Sequence, residues 1–150
     1  MSKKTIGTIF LIILLPVIFF LLFPSDENRI KKLFKQGALA IEKEDIDAVM
    51  SKIAYNYRDD YGFTYLYIKE SMKTVFQRLD NIKVEYENLE IVVQGKTAIA
   101  DMDVRVIATI GNETGYVLGD MPNPVHLKFA LEKERAKWLV TKTDGLPFIQ

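Results

Sequence analysis

The sequence predicts an α+β domain, with three N-terminal helices packed on one face of a curved antiparallel sheet and one transmembrane helix preceding them. An uncharged apolar stretch runs from Thr5 to Phe23, and three stretches of helical periodicity follow it. The second half of the chain then alternates between apolar and polar residues, as strands do. Helices followed by a run of strands are typical of the α+β class.

The apolar stretch has the length of a membrane-spanning helix. At about 1.5 Å per residue, residues 5–23 give a helix of roughly 28 Å, close to the thickness of a bilayer core. A cleaved secretory signal is the alternative, but residues 20–27 contain no small-x-small cleavage pair. We therefore expect an uncleaved signal anchor at residues 1–24 and a globular domain at residues 25–150.

The charges around this stretch predict its orientation. Lys3 and Lys4 precede it and favour a cytoplasmic amino terminus. Four basic residues also follow it within the range of the positive-inside rule: Arg29, Lys31, Lys32 and Lys35. They lie among acidic residues in a predicted folded helix, which weakens their influence. We expect a single-pass membrane protein whose globular part is extracytoplasmic.

Composition limits the function of the globular part. Removing Lys3 and Lys4 from 20 basic residues leaves 18 against 20 acidic residues, a net charge near −2. No basic run suits a phosphate backbone, so nucleic acid is not an expected partner. The chain has no cysteine, which excludes thiol catalysis, disulfides and cysteine metal sites.

Three predicted helices open the domain, each with a capping residue and an apolar stripe. Ser25 caps the first, Asp45 the second and Thr64 the third. The stripes have helical spacing: Ile30, Leu33, Phe34, Gly37, Ala38 and Ile41; then Ile46, Val49, Met50 and Ile53; then Tyr65, Ile68, Met72, Val75, Phe76 and Leu79.

Predicted strands fill the second half. The first changes the phase of its alternation near Glu87 and Asn88, which predicts a bulge. The second, from Thr97, presents one apolar face: Ala98, Ala100, Met102, Val104, Val106 and Ala108. Residues 111–124 are predicted to be a loop, because they are rich in glycine and proline. Two further strands follow, joined by a hairpin at residues 134–137.

Three segments resemble the NTF2-like (SnoaL-like, cystatin-like cone) superfamily. Residues 29–50, with Glu44-Asp45-Ile46-Asp47-Ala48, look like its opening helical pair. Residues 95–100 resemble the strand that follows its short turn, and Lys137-Trp138-Leu139-Val140-Thr141 resembles its closing strand. The resemblance implies a cone with a pocket between sheet and helices. It implies no single activity, since some members are isomerases, dehydratases or cyclases and others only bind partners. One branch of this superfamily is anchored in membranes and resembles the periplasmic components of type IV secretion assemblies.

The candidate site lies between the second and third helices. Tyr55, Tyr57, Tyr61 and Tyr65 are predicted to line a cavity mouth and bind a ligand, beside the carboxylates of Asp59 and Asp60. One interpretation is catalytic: Asp59 or Asp60 acts as a base while Tyr57 or another tyrosine polarises a carbonyl, as in ketosteroid-isomerase-like enzymes. The other is structural, with aromatic rings packed beneath a loop and Arg58 paired with an aspartate.

Metal binding is not expected. His126 is the only histidine and shares a polar strand face with Lys128. Asp101 and Asp103 point to the same side of a strand, a spacing that suits a cation, but Arg105 continues the row and favours a solvated charged face.

Two functions remain. The first is a non-enzymatic, membrane-anchored module that binds a protein partner or a small apolar ligand, with a homodimer through the sheet face bearing Ile99 and Ile107. The alternative is an isomerase, dehydratase or hydrolase acting in the cone. No cofactor is expected in either case.

Overall fold

The order of elements separates a helical first half from a sheet in the second half. The computed structural model describes residues 3–147, with the side chains of residues 3–6 and 20 outside that description. Within this range the helices are α1 (Lys3–Leu22), α2 (Asp26–Glu42), α3 (Ile46–Met50) and α4 (Tyr65–Arg78). The strands are β1 (Asp80–Gln94), β2 (Thr97–Ile110), β3 (Glu113–Leu118), β4 (Val125–Glu134) and β5 (Lys137–Asp144).

α1 covers most of the predicted anchor. Every residue from Gly7 to Leu22 whose side chain is described is exposed. A transmembrane helix is not found, since no helix in the described part of the chain is both long enough and apolar enough to cross a membrane. The side chains of Lys3 and Lys4, on which the predicted orientation depends, lie outside the described residues. The division at residue 24 and the orientation therefore stay predictions.

The three predicted caps are confirmed. The side chains of Ser25, Asp45 and Thr64 accept hydrogen bonds from the third backbone N–H that follows each of them. α2 packs on β1 and contacts β5, and it buries Ile30, Leu33, Phe34 and Ala40. α4 buries none of its residues, and its predicted stripe is half-buried throughout.

The strands form one antiparallel sheet in the order β1, β2, β4, β5. The predicted bulge is confirmed, because the β1–β2 register shifts between Glu87 and Glu90, where Asn88 has a φ of 54°. Further register shifts occur in the β2–β3 and β4–β5 pairs. Bulges bend and twist the strands that carry them, which accounts for the curvature of the sheet.

The predicted loop at residues 111–124 is only partly correct. It contains β3, which pairs with the end of β2 from Val106 to Ile110. The strand was missed because its residues are exposed or half-buried and show no alternation. Arg105 fastens the remaining loop to the sheet: its guanidinium donates to the carbonyls of Asp120 and Met121 at 2.8 and 3.0 Å.

The core lies between α2 and the concave face of the sheet. The alternation predicted for β2 is confirmed, since Ala98, Ala100, Met102, Val104 and Ala108 are buried. Only two polar residues in the described part of the chain are buried, Asp59 and Thr143. The interior of the cone is therefore almost entirely apolar.

Candidate functional site

The predicted site lies in the segment between α3 and α4, which runs along the edge strand β5. The backbone N–H groups of Ala54 and Arg58 donate to the carbonyls of Val140 and Thr141 at 2.9 and 3.0 Å. The Val140 N–H in turn donates to the backbone carbonyl of Lys52 at 2.9 Å. This pairing covers part of a sheet edge that would otherwise be open, and it holds the following residues in place.

Asp59 is the buried carboxylate of the loop, with 6% of its surface exposed. Its Oδ1 accepts hydrogen bonds from the backbone N–H groups of Tyr61 and Phe63 at 3.0 and 2.9 Å. The Tyr57 hydroxyl lies 3.4 Å from Oδ2. The carboxylate therefore organises its own loop, in the manner of an Asx turn.

Tyr57 lies beneath the loop rather than at a cavity mouth. It is 3% exposed. Burial is the main cause that raises the pKa of its hydroxyl, and the nearby Asp59 carboxylate adds to this effect. The hydroxyl therefore stays protonated near neutral pH and can donate to Asp59.

Asp60 points to solvent. Its side chain is 72% exposed and pairs with the Lys142 ammonium at 2.8 Å. That hydrogen bond lowers the pKa of Asp60 and raises the pKa of Lys142. Asp60 is thus a surface ion-pair member, without the apolar enclosure that would tune a carboxyl group for acid–base work.

The other predicted tyrosines, Tyr55, Tyr61 and Tyr65, belong to a group of five aromatic residues that contains two stacked pairs. Tyr55 stacks on Tyr65, with ring centroids 4.5 Å apart and planes 12° apart. Phe63 stacks on Tyr67 at 4.2 Å and 9°, and Tyr61 lies 6.1 Å from Phe63. These five residues are the aromatic surface. Tyr55 is 84% exposed, whereas Tyr61 and Tyr67 are each 50% exposed.

Sequence reasoning missed Phe63 and Tyr67. Phe63 precedes the Thr64 cap and Tyr67 lies in the first turn of α4, so the helical periodicity used to find the stripe did not connect them. The exposed Leu66 beside Tyr67 extends the apolar area and was also missed. Whether the four predicted tyrosines bind a ligand stays a prediction.

A separate polar cluster lies on the outer face of the sheet. His126 Nδ1 is 3.0 Å from Asp103, and its Nε2 is 3.2 Å from Asp101. Hydrogen bonds to Asp103 and then Asp101 raise the pKa of His126, while Asn88 and His126 lower the pKa of Asp103. In residues 3–147 no group of three or more histidine or carboxylate side chains is placed to hold a metal ion. The two carboxylates instead clamp one imidazole across β2 and β4.

Solved structures share this architecture at low sequence identity. No protein-family model and no curated protein matches the sequence. A scytalone dehydratase-like protein from Novosphingobium aromaticivorans is similar at 11% identity and a TM-score of 0.68, covering 79% of this chain and 80% of that one. An aromatic ring hydroxylase-like protein from the same organism has 21% identity and a TM-score of 0.67, with coverage of 82% and 90%.

A third structure names the fold. A protein of unknown function with a cystatin-like fold from Nostoc punctiforme has 14% identity and a TM-score of 0.59, covering 79% of this chain and 87% of that one. Likeness at these identities concerns the fold alone. The chain thus contains the NTF2-like, cystatin-like cone, built from helices packed on a curved antiparallel sheet.

Proposed function

We propose that this protein is a non-enzymatic binding module, held at a membrane by residues 5–23, whose aromatic surface contacts a protein partner or a small apolar ligand. The observation behind the proposal is the two stacked aromatic pairs around the start of α4, in which Tyr55 and Tyr67 are exposed. Tyrosine gives large contact area at a small cost in side-chain entropy, and it is enriched where proteins bind one another. A contiguous exposed apolar cluster indicates an interaction site, whereas single exposed apolar residues are normal on a protein surface.

The state of the two carboxylates favours binding over catalysis. Asp59 already accepts two backbone hydrogen bonds, and Asp60 is paired with Lys142 at the surface. A general base needs a lone pair directed at the proton that it removes. In each of the two carboxylates, at least one oxygen already has a structural partner.

Membrane attachment is supported by the exposed apolar side chains of α1. No charged residue lies between Thr5 and Phe23. Large exposed apolar areas mark contacts with membranes or with other proteins. A globular part outside the cytoplasm remains part of this proposal.

A second copy of the chain is an additional proposed partner. Val92 and Ile99 are cross-strand neighbours on the outer face of the sheet, and they are 60% and 41% exposed. Ile107 on the same strand as Ile99 is half-buried. Sheet faces of this composition suit a homodimer.

The enzymatic alternative rests on the Tyr57–Asp59 pair. The observation that favours an isomerase, dehydratase or hydrolase is the buried Tyr57 hydroxyl, which lies 3.4 Å from the Asp59 carboxylate. Asp59→Asn removes the charge and retains an oxygen acceptor for the loop. Catalysis would be favoured if the wild type turns over small carbonyl compounds and the folded Asp59→Asn variant does not.

The binding hypothesis is tested by recovering the full-length protein from native membranes in a mild neutral detergent. Proteins and extracted apolar compounds are quantified by mass spectrometry for the wild type, Tyr55→Ser and Tyr67→Ser. Tyr116→Ser is the matched control, since Tyr116 is a 41% exposed tyrosine on β3, outside the aromatic surface. We expect a companion that both aromatic-surface variants lose and the control keeps. Recovery of every variant alone, or equal loss in the control, would contradict the proposal.

A further inference from the structure

A groove separates α2 from the hairpin that joins β4 to β5. Its volume is about 430 Å³, and it continues along the segment after α3. Four basic residues line it: Arg29, Lys32, Lys52 and Lys137. No acidic residue lines it, although the globular part carries a net negative charge. We call it the basic groove.

The positive charge of the basic groove is largely uncompensated. None of the four basic side chains forms a salt bridge within the described part of the chain. Lys52 donates to the Gln36 amide oxygen at 3.1 Å, and Arg29 donates to the Ala136 carbonyl at 3.4 Å. Both acceptors are neutral, so they position the cations without cancelling their charge.

Asp26, an acidic residue close to Arg29, is already paired. Asp26 accepts from the Lys133 ammonium at 2.7 Å and from the Trp138 indole at 3.0 Å. These bonds lower its pKa, Lys133 being the main cause, and Arg29 contributes a smaller electrostatic effect. Asp26 thus offsets part of the Arg29 charge. Glu134 is the cross-strand partner of Lys137 in the β4–β5 pair, but the two side chains form no salt bridge in the described part of the chain.

The position of the basic groove indicates what it meets. Pro24, which joins α1 to α2, is one of its lining residues. A site bounded by that residue lies where the chain leaves residues 5–23. If those residues hold the protein at a membrane, the groove lies at the level of the lipid headgroups.

We propose that the basic groove binds the phosphate of an anionic lipid headgroup at the membrane surface. Lysine ammonium and arginine guanidinium groups form charge-assisted hydrogen bonds with phosphate oxygens. Each basic residue near an anionic membrane surface strengthens association about fivefold. The inference rests on the proposed attachment through residues 5–23, and it adds the orientation of the globular part, with α2 and the β4–β5 hairpin facing the bilayer.

Trp138 supplies a local readout. It is the only tryptophan in the chain, and it lines the groove. Its emission is followed for the full-length protein in neutral detergent micelles as phosphatidylglycerol or phosphatidylcholine is added. Free glycerol phosphate, at equal phosphate concentration, is the soluble arm.

The test variants are Lys32→Gln, Lys137→Gln and their combination. Lys35→Gln is the matched control, because Lys35 is exposed on the same helix, forms no salt bridge in the described part of the chain and does not line the groove. We expect phosphatidylglycerol to change Trp138 emission. Each groove substitution should weaken that binding about fivefold and the pair about 25-fold, while Lys35→Gln changes it less than twofold.

Three results would overturn the inference. The first is an equal change of Trp138 emission with phosphatidylglycerol and with phosphatidylcholine. The second is a loss of phosphatidylglycerol binding in Lys35→Gln equal to that in the groove variants. The third is binding of free glycerol phosphate as tight as that of phosphatidylglycerol. Flotation with neutral phosphatidylcholine vesicles tests attachment separately. Flotation without a selective response to phosphatidylglycerol refutes the groove alone. A selective response in micelles without flotation refutes attachment through residues 5–23 and supports phosphate binding by the groove.

Discussion

α2 and α4 carry the same kind of apolar stripe, yet α2 buries four residues and α4 buries none. α2 is fastened to the sheet at both ends, through Asp26 to Lys133 and Trp138, and through Glu42 to the Val84 N–H at 3.0 Å. The side-chain hydrogen bonds of α4 in the described chain are all local. In both helices the apolar stripe turns inward, and the helix that packs more deeply is the one whose ends are bonded to the sheet.

The largest expected effect comes from truncating one isoleucine of the apolar stripe in each helix, which tests the comparison of α2 with α4. Ile30 is fully buried, whereas Ile68 is half-buried. We expect Ile30→Ala to lower the free energy of unfolding by about 3–4 kcal/mol and Ile68→Ala by about 1 kcal/mol. Denaturant unfolding of the full-length protein, followed by Trp138 fluorescence, measures both. Equal losses would show that α4 packs as firmly as α2.

A substitution in the loop before α4 tests the comparison of α2 with α4 further, with a smaller expected loss of stability. Asp59→Ala removes the carboxylate that accepts from the part-buried N–H groups of Tyr61 and Phe63, and we expect it to cost about 2 kcal/mol. Asp60→Ala is the control, since Asp60 is exposed, and its effect should lie within the error of the measurement. Hydrogen exchange should rise in α4 more than in α2, because the Asp59 bonds end one residue before the Thr64 cap. An increase confined to α2 would contradict the comparison.

The smallest effect concerns pH and should not distinguish the helices. The pKa of His126 is raised above its ordinary 6.5, so the clamp stabilises fully below pH 6.5 and its contribution is lost as pH rises through the folded pKa. The pKa of Asp103 is lowered below 3.8, so its contribution is present above pH 3.8 and is lost as pH falls through the folded pKa.

Thermal unfolding of the wild type and His126→Gln tests this window. We expect the wild type to be the more stable near pH 5.5 and the difference to shrink in alkaline solution. The single histidine resonance in NMR spectra gives the folded pKa directly. A stability difference between the wild type and His126→Gln that grows with pH would contradict the raised pKa of His126. If His126→Gln changed hydrogen exchange in α4 alone, the pH effect would distinguish the two helices.

Local patterns in the sequence were enough for much of the fold. The caps at Ser25, Asp45 and Thr64, the bulge near Asn88 and the inner face of β2 were all predicted and confirmed. Each depends on residues within a few positions of one another, where capping chemistry and periodicity act. β3 escaped because it is held by backbone pairing with β2 and carries little apolar pattern.

The site needed the tertiary structure. The sequence placed Asp59, Asp60 and four tyrosines in one segment, but only the fold buried Asp59 and Tyr57 and turned Asp60 and Tyr55 outward. The basic groove joins α2 to a hairpin about a hundred residues away; the Asp26–Lys133 pair spans 107 positions. Periodicity tells which side of an element is apolar. Which distant elements meet depends on strand order and on the packing of helices against the sheet, and that is decided by the whole chain.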